Sequence, residues 1–548
     1  MEETTMITKP KVRRKAGSQS IPAAIQPSGG VQRATSSYLR DTRSGVIQSR
    51  PAFLREHRDD IRQAWDRSAA LAMDLIQNSG RLKGACDQII ADTVGTELTL
   101  NPQPDLTGLG YDDKERADLI NLIKRRWKMY AWNPAECDLR GKLTIPQMAD
   151  IGIRWFIAYG ESTGVLSYMS QAQRRRYGIT TGTKMLMVPP HRLSQETRET
   201  EGLYQGVFHD ENGRATHYRF NTRESGVNVT ADYAARDARG RSLVLHAFDP
   251  MDATDVRGIS LLAPTFRKHI QHEILDDATL QMAVLQTIYA ICLTSEKPSA
   301  DAFEALEALS AIDGASPLAT EFLNYFSGSL NAAAESSISV NGDPTVSHFA
   351  PGEKLSFESV KVPGGEYLPF ADSLSRDMAR ALGITFGGLT MNYSQATYSS
   401  VRMETSSLWP VVLRRRERIA APHYQMPYES WLDEEIGEGR IPFKGGYEAF
   451  DANRDRVCWA LWQGPAKPTA DDGKAAKAAT ERISNGTTTL AQECADLGLD
   501  ADEVFQQREI EHKRYINAGM PSPFMRNMPS DPASADDDDE PVPTPQVV

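Results

Sequence analysis

At 548 residues, 40% hydrophobic and 24% charged, the chain has room for about three or four domains and ample core to fold unaided. Its net charge of −12 excludes a basic DNA-coating protein but not a channel, whose wall must let a polyanion pass without gripping it. Five cysteines (Cys86, Cys137, Cys292, Cys458, Cys494), odd in number, widely spaced and without a CxxC, exclude a disulfide or zinc framework and point to a reduced, intracellular chain.

Residues 1–50 hold nine Lys/Arg against three Asp/Glu, with many Ser, Gly and Pro. They are expected to form a flexible, solvated arm. Asp59–Asn78 has helical periodicity through Ile61, Trp65, Ala69 and Met73, and a second helix follows from Arg81. Glu97–Leu100 reads as a strand stopped by Pro102 and Pro104. Asp113–Trp132 is predicted to be an amphipathic helix with Ile120, Ile123, Trp127 and Tyr130 on one face. Pro146 suits the first turn of a helix ending at Tyr159. Val165–Met169, Lys184–Val188 and several runs in 203–248 read as strands, which makes this region mixed α/β.

Ser260–Cys292 contains no Gly and only Pro264, so one long helix is expected. Its apolar run Met282–Leu293 is twelve residues long and contains Gln286 and Thr287, too short to span a bilayer. The N-terminus lacks the apolar core of a signal peptide. The chain is expected to be made and used in a cytoplasm. Residues 300–330 are Ala-rich and helical in pattern, and Ser337–Val340 and Lys354–Val360 read as strands. A helix at about 367–382 leads to a Gly- and hydroxyl-rich loop, then a long helical stretch from about Tyr398 to Glu435. Pro410, Pro422 and Pro427 should kink or interrupt that stretch. Two or three helices are expected in 471–515. Ser530–Val548 holds six acidic residues, no basic one and four prolines, and is expected to stay disordered.

No catalytic pattern stands out. His269 and His272 with Glu273 could reach one metal from a helix, but this is not HExxH, and surface histidines are the better reading. Gly160-Glu161-Ser162-Thr163-Gly164 matches the Gly-x-Ser-x-Gly of a hydrolase. The expected order here, helix then strand, is the reverse of what that motif needs. Phe386-Gly387-Gly388 lacks the Lys-Ser/Thr of a phosphate loop. The basic runs Arg414-Arg415-Arg416-Glu417-Arg418, Arg174-Arg175-Arg176 and Lys124-Arg125-Arg126 point in several directions on a helix. Salt bridges between subunits or a solvated face are favoured for them over DNA contact. The acids Asp301, Glu304 and Glu307 show no pairing. No cofactor, resident metal or catalytic group is expected.

Several segments, in order from about 50 to 520, resemble the lambda-type family of tailed-phage portal proteins. They are RSAALAMDLIQNSGRLKGACDQIIADTVGTEL near the start; Gly160-Glu161 before a strand; and VLHAFDPMDATDVRGISLLAPTFRKHIQHEILDDATLQMAVLQTIYA, with its Arg257-Gly258-Ile259-Ser260. Pro351-Gly352-Glu353 follows, then the stretch from Val362-Pro363-Gly364-Gly365 through Leu382-Gly383-Ile384 and Asn392-Tyr393-Ser394 to Tyr398-Ser399-Ser400-Val401-Arg402. The last segment is SNGTTTLAQECADLGLDADEVFQQREIEHKRYINAGM. Thr254-Asp255-Val256 departs from the Gln that the family often places before Arg-Gly, and the N-terminal arm and acidic tail lie outside the resemblance.

The resemblance implies an α+β portal fold: an α/β wing, long stem helices, a small α/β clip, a kinked spine helix and a helical crown. Carried onto this chain, the layout is an arm at 1–50, wing 51–257, first stem helix 258–293, clip 294–366 and second stem helix 367–382. A tunnel loop at 383–397, spine helix and C-terminal wing at 398–464, crown at 465–520 and tail at 521–548 complete it. It implies a ring of identical subunits, usually twelve, at one capsid vertex. Double-stranded DNA would pass through the ring. The clip would dock the terminase large subunit and later a head-completion or adaptor protein, and major capsid and scaffold proteins would surround it. Such a protein belongs to the virion, at the head–tail junction, and is assembled in the bacterial cytoplasm without a membrane. It serves genome packaging and DNA ejection.

On that map Gly387, Gly388, Asn392, Tyr393, Ser394 and Gln395 would face DNA: glycines for conformational freedom, neutral donors for contact without strong counterion release. Arg414, Arg415, Arg416 and Arg418 would make contacts with a neighbouring subunit or with DNA. The alternative from another class is a metal-dependent DNA-processing enzyme built on the His269/His272/Glu273 helix or on the scattered Asp pairs.

Overall fold

The computed structural model describes residues 54–224, 227–289, 365, 367–394, 396–469 and 472–525. The basic arm, nearly all of 294–366, Cys292, Gln395 and the acidic tail lie outside the described residues, as do the elements expected in 300–360. Everything below concerns the unit Glu56–Val548, distinct from Met1–Arg55.

Helix α1 (His57–Asn78) and helix α2 (Gly80–Thr93) are separated by Ser79, whose hydroxyl caps α2. Strand β1 (Thr99–Pro102) pairs antiparallel with a strand from far along the chain, β9 (Ala460–Gln463). Helix α3 (Asp113–Ala131) begins in a reciprocal capping box between Asp112 and Glu115. Its buried stripe runs through Leu119, Ile123, Trp127 and Tyr130, so Leu119 takes the interior place expected of the half-buried Ile120. Helix α4 (Ile145–Tyr159) starts with a second box, Thr144 with Gln147, and Pro146 sits in its first turn.

Two sheets follow. The order β3–β2–β8 is built from β2 (Glu161–Tyr168), β3 (Thr183–Met187) and β8 (Val244–Phe248), all antiparallel. The short helix α5 (Gln171–Tyr177) lies between β2 and β3 in the chain. The second sheet is a meander, β4 (Leu203–Tyr204), β5 (Val207–His209), β6 (Ala215–Glu224) and β7 (Val227–Ala234). Val165, Val188, Leu193, Val207, Phe220 and Val244 form a small core for this region.

Helix α6 (Phe266–Tyr289) starts six residues later than Ser260. The reason lies in side chains that pin the preceding turn: the Ser260 hydroxyl donates to the Ile157 carbonyl at 2.9 Å and accepts from the Leu262 N–H at 3.1 Å. Helix α7 (Tyr367–Leu382) packs against α6. After a short helix, α8 (Phe386–Thr390), comes α9 (Tyr398–Arg415), a π-helical turn over Arg416–Ala420, and α10 (Ala421–Gly437). The three prolines do not cut this stretch into pieces. Pro422 has no N–H to donate, and the widened turn immediately before it absorbs the lost bond. Helix α11 (Gly446–Asp451) precedes β9, and α12 (Asp472–Ser484), α13 (Leu490–Asp496) and α14 (Ala501–Asn517) close the described chain.

The main core joins α1–α4, β2, β3, β8, α7 and α10. At its centre Trp127 meets Tyr428 edge-on at 5.4 Å and Trp431 at 5.3 Å, with Trp462 of β9 at 5.7 Å. Such aromatic pairs add about 0.5–1.5 kcal/mol each beyond the area they bury. They tie residues near 130, 430 and 460 into one body. No described helix is long and apolar enough to cross a membrane.

Candidate functional site

Two motifs nearly 100 residues apart in the chain meet in the interior. Gly160 caps α4 in the left-handed region at φ 85°, and Glu161 opens β2. A Cβ on Gly160 would fall on the Ile259 backbone, and one on Gly258 would fall on the Gly160 carbonyl. Only paired glycines permit that approach. It brings the wholly buried Glu161 carboxylate to the Arg257 guanidinium, to His246 Nε2 at 3.0 Å and to the Gly258 N–H at 3.2 Å. Arg257 also donates to the carbonyls of Gln205 and Pro190 and lies over Trp65 at 4.5 Å. Burial alone would raise the Glu161 pKa; Arg257 and His246 overcome it and hold the carboxyl at about 2. This junction fixes the chain just before α6.

The loop between α7 and α9 is more built than the sequence suggests. Gly387 and Gly388 are not freely moving: they lie inside α8, capped by Thr385, whose hydroxyl accepts from the Gly388 N–H at 2.9 Å. Their smallness serves packing. A Cβ on Gly387 would strike the Tyr393 ring, and one on Gly388 would press on Thr385 Oγ1 at 2.9 Å. Leu389 is buried in the main core. The left-handed positions are Gly383 and, unusually, Met391 at φ 55°. Glu404 of α9 accepts the Phe386 N–H at 2.6 Å, and Arg376 of α7 lies over the Phe386 ring at 4.9 Å. Asn392 Oδ1 accepts from the Ser394 N–H at 3.1 Å and hydroxyl at 2.7 Å, an Asx turn. Tyr393 is 52% exposed and Met391 76%. A cavity of about 490 Å³ opens between the loop, α7 and α9, with Arg376, Arg380, Asn392, Tyr393 and Glu404 among its walls.

The basic run divides sharply. Arg415 is buried and donates to the Leu382 carbonyl at 2.8 Å; burial, then Arg414, lowers its pKa to about 10. Arg416 is buried too, and donates to the carbonyls of Thr93, Asp92 and Pro465. Their contacts are therefore within the chain, a correction to the expected solvated or intersubunit role. Arg414 and Arg418 remain 56% exposed at the side chain, both against Asp249. The other runs behave alike: Lys124 is buried with Asp500, Arg126 pairs with Glu435, and Arg174 with Glu434 and Glu438, while Arg175 and Arg176 stay at the surface.

His269 and His272 are corrected more fully. Both are buried, at 2% and 0% exposure, against the expectation of surface residues. His269 Nδ1 lies 3.2 Å from the Met378 sulfur, and His272 Nδ1 touches the Arg81 guanidinium. Burial lowers both pKa values, and Arg81 lowers them further. A guanidinium in contact with His272 opposes a cation there. No three His, Cys, Asp or Glu side chains converge on a common point among the described residues.

Gly160 alone makes the helix-to-strand turn, since Glu161–Gly164 already belong to β2, and Ser162 has a partner that pattern reasoning missed. Its hydroxyl is 2.8 Å from His423 Nε2, and His423 Nδ1 donates to the Ile419 carbonyl. Both side chains have 0% exposure, so this is a core hydrogen bond with no path for a substrate. Burial depresses His423 to about 4.

A chain with these elements matches known proteins. A family model described as phage portal protein, lambda family, spans residues 44–416. The chain belongs to that family. It is similar to the portal protein of Escherichia phage N15, 26% identical over 467 residues covering 84% of this chain and 86% of that one. It is also similar to portal protein B of Escherichia phage lambda, 25% identical over 467 residues, 83% and 85% of the two chains. Among solved structures, a chain of the neck of an empty gene transfer agent particle, computed with C6 symmetry, shares 12% identity over 78% of this chain and 93% of that one, with a TM-score of 0.38.

Proposed function

We propose that this portal protein closes into a ring of identical subunits, twelve in the expected form, at one capsid vertex, and that duplex DNA passes through it. The lambda-family match across residues 44–416 carries this proposal, because its range includes α6, α7, the loop after α7 and all of α9. In this proposal residues 51–257 and 398–464 form the wing and spine, 258–293 and 367–382 the stem, 294–366 the clip and 465–520 the crown. The clip docks the terminase large subunit during packaging and a head-completion or adaptor protein afterwards. Capsid and scaffold proteins surround the wing in the bacterial cytoplasm, and the ring later serves ejection. Chemical energy comes from the terminase, and this chain supplies no catalytic step.

The loop contributes its exposed tip. Tyr393 and Met391 present bulk without charge, and Asn392 and Ser394 are held in their turn by each other. A neutral, locally braced tip can meet phosphates without the counterion release that would make DNA stick. Gln395 joins this tip in the proposal; Gly387 and Gly388 support it from within α8. Arg414 and Arg418 are the two arginines of the run left able to meet a neighbour or DNA.

The test is the triple substitution Asn392→Ala, Tyr393→Ala, Ser394→Ala, assayed in complementation of a portal-deficient phage. Assembly should continue while DNA packaging or retention falls. Normal DNA content with the altered tip would overturn the loop's role.

A further inference from the structure

Among the described residues, the groove between the start of α9 and α12 is lined by cations and no carboxylate. It encloses about 390 Å³, with Arg402 from α9, Lys467 from the connecting segment, Lys474 and Arg482 from α12, and Ala475 and Ala478 among the residues that form its floor and sides. Lys467 donates to the Ser406 hydroxyl at 2.7 Å, which aims its ammonium at α9. Arg482 is shared with Glu493 of α13, at 2.7 Å. Arg402 is exposed and has no ion-pair partner among the described residues. Arg402 and Lys467, neither of them in an ion pair among the described residues, favour an anionic occupant.

The chain carries a matching segment. Asp536–Glu540 is five consecutive acids, and no Lys or Arg follows Arg526. The described chain ends where Phe524 lies under Arg508, at 5.0 Å, in the first half of α14. Gly498, just before α14, is packed against Gly464, three residues ahead of Lys467. The end of the fold and the groove thus belong to one cluster of helices. The eleven residues from Met525 to Asp536 can span up to about 36–40 Å extended.

We propose that the acidic C-terminal segment Asp536–Glu540 docks in this basic groove, so that the tail screens the cations of Arg402 and Lys467 from other polyanions. The apolar Ala475 and Ala478 floor accommodates the prolines that flank the acids. The affinity is electrostatic and falls as salt shortens the screening length.

Zero-length carbodiimide coupling of the full chain, read by peptide mass spectrometry, tests this. Coupling joins a lysine amine only to a carboxylate in contact. Lys467 should be joined to a residue of Asp536–Glu540. The yield should drop severalfold in Arg402→Glu, and vanish at about 1 M salt, where the screening length is about 3 Å. The exposed pair Lys444–Glu115, 2.7 Å apart, is the internal control in every sample. Control coupling without tail coupling, or tail coupling unchanged by Arg402→Glu, would overturn the proposal. So would loss of duplex DNA binding in Arg402→Glu without tail coupling, which would make the groove a nucleic-acid contact instead.

Discussion

The Glu161–Arg257 junction and the Asn392–Ser394 tip are both conspicuous in the sequence, yet they are opposite kinds of site. In the junction every polar group is buried and answered within the chain. At the tip the polar groups bond to each other and to near neighbours in the chain, and the large side chains face out. A marked motif can therefore serve the fold or the work, and burial decides which. Substitutions at the junction should cost stability; those at the tip should cost function.

The largest effect is expected from breaking the junction on one side. Arg257→Met or Glu161→Gln strands a buried partner and should cost about 3–5 kcal/mol, measured by denaturant unfolding. The double substitution should recover part of that loss. If each single variant is as stable as the parent, the junction is not what holds the start of α6.

The same contrast has a pH signature. Glu161 is held at about 2 against an ordinary 4.5. Below 4.5 the unfolded chain takes up a proton that the folded chain refuses, so stability is lost as pH falls from 4.5 towards 2. His423, at about 4 against 6.5, removes stability at higher pH, between 6.5 and 4, because the unfolded chain protonates first. His423→Gln should reduce the loss in the upper window, to which the buried His269 and His272 also contribute, and leave the lower one, as thermal melts across pH would reveal.

Smaller effects sharpen the boundary. Arg415→Met leaves the Leu382 carbonyl without its donor and should cost about 1–3 kcal/mol. Gly387→Ala forces Tyr393 aside and should cost about 1–3 kcal/mol as overpacking, with much of it relieved by adding Tyr393→Ala. At the small end, alanine at Arg414 or Arg418 removes an exposed pair with Asp249 and should change stability by about 0–1 kcal/mol. Removing the whole stretch Gly387–Gln395 is a poorer probe than its exposed tip, since it also deletes the core residue Leu389.

Much of the architecture was legible in the sequence where local rules prevail. The start of α4 marked by Pro146, the helical stripe of α3 and the proline-marked stretch after Tyr398 all needed only neighbours along the chain. What escaped depended on partners far away. His269 and His272 read as surface residues because nothing local reveals that α2 and α7 cover them. Gly387 reads as part of a free loop because the ring that requires it small, Tyr393, turns back from beyond the helix. Arg415 and Arg416 look like any exposed basic run until Leu382 and Thr93 supply their carbonyls. Ser162 finds His423 across 261 residues, a pairing that only the folded core creates.

The most direct test of the central claim is the mass of the purified protein by light scattering, with negative-stain images of the same peak. A closed ring with a central hole, near twelve times the 60.7 kDa chain, is the predicted result. A homogeneous monomer or dimer that stays so when capsid and scaffold proteins are added would contradict it.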